Sequence, residues 1–148
     1  MHLSEKVQAH LRQLNLICLA FLSGVLIYSG VVWFLLTSGS MPPEDLDLAP
    51  WVGTLFNGIA LVALVTAYFP PRHLRAPARD ASDEDLISWH RTATLVGFSL
   101  REGAALIALV GALLTGKVLG AIAMVGWAIL AMILAWPRAE QLQGSGPG

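Results

Sequence analysis

Charge is scarce in this sequence. Only 13% of its 148 residues are Asp, Glu, Lys or Arg, while 55% are hydrophobic. Soluble domains carry about a quarter charged residues, so the composition argues against an ordinary water-soluble domain and for a bilayer. The net charge of −1 supplies no basic surface, and no nucleic-acid partner is expected. The single cysteine, Cys18, excludes an intrachain disulfide and a cysteine metal cluster. It lies in an apolar run and reads as a buried, inert thiol. P-loop, nucleophile-elbow, zinc and paired-carboxylate signatures are all missing, so no catalysis, metal or cofactor is expected. The first apolar run is too long, and lacks the Ala-x-Ala-like exit, for a cleavable signal peptide.

What the chain does have is long apolar runs. Crossing a bilayer takes roughly 20 such residues as helix. Four stretches qualify, at 14–36, 51–69, 92–114 and 118–136. Pro42-Pro43, Pro70-Pro71 and Gly116 stand where these runs must stop. The expectation is an all-α, polytopic membrane protein of four transmembrane helices in two short-looped hairpins, forming one domain over 14–136. Leu3, Val7, Leu11 and Leu14 recur at helical spacing, which predicts that residues 1–13 form an amphipathic extension along the inner surface. Ser82 followed by Asp85 resembles a capping box and would start the third helix before it enters lipid. Residues 137–148, ending "GSGPG", read as a disordered tail.

Basic residues set the orientation. Lys6, Arg12, Arg72, Arg75, Arg79, Arg91 and Arg138 fall on one side of the four runs and Lys117 alone on the other. Positive charge is retained on the cytoplasmic side, which predicts cytoplasmic termini and a multi-pass protein of the inner (plasma) membrane. Trp33 and Trp51 then mark the outer interface, and Tyr68, Trp89 and Trp136 the inner one.

Lipid is as apolar as leucine, so membrane helices associate by close backbone approach and buried polar contacts. The third run carries Gly97, Ala104, Ala108 and Gly111 in one row with Arg101, and Gly103 and Ala105 leave room beside Glu102. The second run offers Ala60, Ala63 and Ala67, and the fourth Gly120 and Ala123 beyond Gly116. Packing alone accounts for these residues.

Arg101 and Glu102 stand side by side in the third run. Counted from Thr92, Glu102 is about 15 Å deep, which is mid-bilayer. Two charges at that depth cost roughly 5–7 kcal/mol, against about 3–6 kcal/mol returned by the large apolar residues of the span. The two residues are about 100° apart around the helix, so each must find its partners elsewhere. Counting from each cytoplasmic end brings Ser23, Asn57 and Trp127 to a similar depth. Ser23, Asn57, Arg101, Glu102 and Trp127 are therefore expected to form a polar midplane layer, joined by Ser99. One reading is an Arg–Glu network that fixes helix register. The other is a proton or cation site centred on a protonatable Glu102, since ionisable groups inside a membrane are functional candidates by default. His2, His10, His73 and His90 all fall near the cytoplasmic interface. Histidines at a common depth can hold haem, but interfacial polar residues are the simpler account.

The stretch 51–114, with its basic loop and "LVGFSLREGAALIALVGALL", resembles the hairpin of the proteolipid subunit c of rotary ATP synthases. That family has two membrane helices, a polar cytoplasmic loop and one ion-binding carboxylate midway along the second helix. The resemblance implies that Glu102 is that carboxylate. Arg101 beside the acid, the reduced glycines (Gly53 and Gly58) and two extra helices depart from the pattern. Four-helix small multidrug transporters use a glutamate on their first helix, where this chain has none. The expected function is non-enzymatic: an accessory or homo-oligomeric subunit of a membrane complex, with a proton or cation site at Glu102. The alternatives are a small solute transporter using Arg101 and Glu102, or a purely structural anchor or assembly factor.

Overall fold

A computed structural model describes residues 5–39, 51–69 and 82–137. They form four helices: α1 (Glu5–Thr37), α2 (Trp51–Thr66), α3 (Asp83–Thr115) and α4 (Val118–Leu134). The described part of the chain is all-α. Two of its helices, α1 and α3, are long and apolar enough to cross a membrane, and α2 and α4 are shorter apolar helices. Residues 138–148 of the expected disordered tail, both proline pairs, and His2 and His73 lie outside the described residues.

Local signals set the ends of α3. The Ser82 hydroxyl oxygen accepts from the Asp85 backbone N–H at 3.2 Å and donates to the Asp85 carboxylate at 2.7 Å. This satisfies one of the free N–H groups of the first turn. Gly116, at φ 66°, takes the left-handed cap conformation and donates its N–H to the Ala112 carbonyl, so the chain reverses into α4 within two residues. α1 runs without interruption from Glu5, so residues 5–13 of the expected N-terminal extension are continuous with it.

α3 is the central helix and packs against each of the other three. Its Phe98, Ala104, Ala105, Ala108 and Ala112 are almost fully buried. Paired contacts give the directions. His10 meets His90, Phe21 meets Phe98, and Gly24 lies against Glu102, so α1 and α3 run parallel. Gly53 faces Thr115, Phe56 faces Gly111 and Arg101 lies against Tyr68, so α2 runs antiparallel to α3. Trp136 against Phe98 gives the same direction for α4.

These contacts also set the levels. Tyr68, just past α2, and Trp136, just past α4, both stand beside the Phe98–Arg101 turn. Among the described residues, four helices therefore run together only from that turn to Thr115. Below it, α3 from Asp83 and α1 from Glu5 continue together for roughly 20 Å as a parallel pair.

Candidate functional site

Arg101 and Glu102 occupy different environments. Arg101 is only 7% exposed. Its side chain bends back along α3 toward the helix N-terminus, as helical geometry favours. The guanidinium carbon stands 5.6 Å from the Tyr68 ring centre and 5.9 Å from that of Phe98. Cations over aromatic faces at this range are attracted by the ring quadrupole. Gly97 makes the path possible, because a Cβ there would lie 2.8 Å from Nη1. The Arg101 Nε is buried without a hydrogen-bond partner.

Glu102 is half-buried and turns toward α1. Its Oε1 lies 3.1 Å from where a Cβ on Gly24 would stand. Among the described residues no ion pair joins it to Arg101, so the Arg–Glu network is not formed there. Half-buried Ser23 is next to Gly24 in sequence and so close to this level.

The other expected members of the layer lie elsewhere. Asn57 packs on Gly120 of α4, where a Cβ would come 2.5 Å from its Nδ2, and its Oδ1 is buried without a partner. Its neighbour Phe56 meets Gly111, which puts Asn57 about 13 Å along α3 from Glu102. Ser99 is exposed, and Trp127 is 53% exposed on the outer face of α4. The single polar layer is therefore not assembled. Counting depth from each helix's own end overlooked that α3 begins far below α2 and α4. Relative to its neighbours, Glu102 stands one residue above the turn where those helices end, not halfway up.

No family model, curated protein or solved structure matches the chain. The site must be read from its own chemistry.

Two arrangements went unread in the sequence. One is the aromatic setting of Arg101, formed by Tyr68 and Phe98 with Trp136 packed edge-on against Phe98 at 6.2 Å. Its signal was present, since Tyr68 and Trp136 were both interface markers while Arg101 was assigned a different depth. The other is the contact of His10 with His90, whose ring centres are 6.2 Å apart. Both histidines are more than nine-tenths buried. The sequence put them at one interface but not in contact. Among the described residues no group of three or more metal-ligating side chains is formed.

Proposed function

We propose that the protein is a four-span membrane protein with cytoplasmic termini, serving as a non-catalytic accessory or homo-oligomeric subunit anchored at the cytoplasmic boundary by Arg101. One observation carries this reading: the outward faces of α1, α2 and α4 in the four-helix section are dominated by large apolar side chains and carry no charged side chain. Ile27, Phe34, Val62, Leu119 and Leu134 are all at least 64% exposed. Soluble monomers rarely show contiguous apolar patches beyond a few hundred Å².

The level of Arg101 agrees with this. Tyr and Trp prefer the membrane–water interface, and here Tyr68 and Trp136 flank the guanidinium turn. A cation at that depth reaches headgroups and avoids most of the ~3 kcal/mol cost of the bilayer centre. Cysteines introduced singly at Ser40 and Ser88, in a Cys18→Ala background, test the topology. An impermeant thiol reagent added outside should label Ser40→Cys and spare Ser88→Cys until the membrane is opened. The reverse pattern overturns the orientation, and labelling of both in intact cells overturns the four spans.

The proton- or cation-site reading of Glu102 has one supporting observation, the lack of a cation partner among the described residues. A hydrophobic carbodiimide should then label Glu102 increasingly as pH falls, and Glu102→Gln should abolish the labelling. The proteolipid likeness draws on the same carboxylate, but expects it midway along its helix pair rather than beside the end of α2. The transporter reading draws least support, because Arg101 and Glu102 face different helices.

A further inference from the structure

Where α1 and α3 run on past the other two helices, His10 of α1 and His90 of α3 meet as an edge-to-face pair with ring centres 6.2 Å apart. They are 9% and 8% exposed, although the polar side chains around them, Gln8, Arg12, Gln13, Glu84, Ser88 and Arg91, are all exposed. Leu14, one turn along from His10, is 1% exposed. The His10 Nε2 is buried with no hydrogen-bond partner. A neutral imidazole tolerates this, whereas an imidazolium must place two N–H donors and a charge in the same space.

We propose that His10 is a proton-operated latch: neutral, it lets the first turns of α1 dock on α3, and protonated, it releases them. The charged groups that act on His10 are His90 and Arg91, both from α3. From α1 itself none acts on it among the described residues. Both partners are basic, so a proton on His10 meets like charge. For the same reason the ligand is a proton rather than a metal cation, which Arg91 would oppose.

The sign follows by linkage. Burial first, then His90 and Arg91, hold the docked His10 below the ordinary value of 6.5. The undocked segment, free in water, keeps that ordinary value and so binds the proton more tightly. Docking is complete above the undocked value, weakens as pH falls through it, and is weakest below the docked value. Release would uncover Leu14 and free a segment bearing Arg12 beside the membrane surface. The inference goes beyond the proposed function, since it needs only the α1–α3 contact and neither the four spans nor a role for Glu102.

The test is a spin-label distance measurement on the full chain in lipid nanodiscs, with nitroxides at Gln13→Cys and Ser88→Cys in a Cys18→Ala background. At about pH 8 the distance should be single and short. By about pH 5 most of that population should be lost to a longer, broader distribution, with a midpoint below 6.5. His10→Gln and His10→Phe, which do not titrate, should keep the short distance throughout, and His10→Lys should lose it even at the higher pH. A wild-type distribution that does not change over this range overturns the proposal. So does a transition that persists in both non-titrating variants. Failure of the topology labelling would leave this readout unaffected, so the two ideas fail separately.

Discussion

The four-helix section and the two-helix extension share α1 and α3, yet they are held together by opposite means. In the four-helix section glycines receive large side chains: Phe56 fills the space over Gly111, Asn57 that over Gly120, and Thr115 that over Gly53. Its outer surface is largely apolar, and many of its buried residues are small, among them Ala104, Ala105, Ala108 and Ala112 of α3 and Ala121 and Ala128 of α4. In the extension the far end exposes polar side chains such as Gln8, Arg12, Gln13, Ser88 and Arg91, and two imidazoles meet beside the buried Leu14. A helix pair in water can gain stability by burying apolar surface, and it tolerates polar exposure. A bundle in lipid gains nothing from burial itself and relies on close approach. On the proposed four-span reading, this change of packing style along two continuous helices corresponds to a change of solvent near the turn carrying Arg101.

The largest effect that would sharpen this contrast is overpacking of the four-helix section. Gly111→Val puts a Cβ 2.6 Å from the Phe56 Cβ and needs backbone movement, so it should destabilise the bundle by about 2–3 kcal/mol. Gly30→Val, with open space at its Cβ position, should cost well under half of that. Thermal loss of monodisperse protein in detergent compares the two, and equal losses would break the account of glycine as the packing device.

A smaller effect is expected at the boundary. Arg101→Leu removes the contacts with Tyr68 and Phe98, a loss of about 1 kcal/mol, and should shift the same melting curve by only a few degrees. Collapse of expression would show that Arg101 has a partner essential to folding. Ser82→Ala should cost about 1 kcal/mol, confined to the first turn of α3. Hydrogen exchange should rise at the Asp83–Leu86 amides and stay unchanged from Ala104 onward. Exchange spreading into the four-helix section would mean that the two regions unfold as one unit.

The smallest effect is predicted for Glu102→Gln, under about 0.5 kcal/mol, since no ion pair among the described residues is lost with the charge. Its melting curve should overlay the parent's. A large loss would restore the register-fixing network as the reason for the two charges.

Local chemistry was readable in the residues themselves. Ser82 and Gly116 announced the ends of α3, because capping needs only a side-chain oxygen at the right spacing or a residue free to adopt positive φ. The apolar runs announced four helices, because composition and period are properties of each segment alone. That Arg101 and Glu102 turn to different neighbours followed from 100° per residue. The tertiary structure alone decided how far each helix slides along its neighbours. That displacement is set by which glycine accepts which side chain, and no count along a single helix contains it. It moved Asn57 about 13 Å from Glu102, turned Ser99 and Trp127 outward, and brought Tyr68 to Arg101 and His10 to His90. Depth, unlike helicity, is a property of the pair.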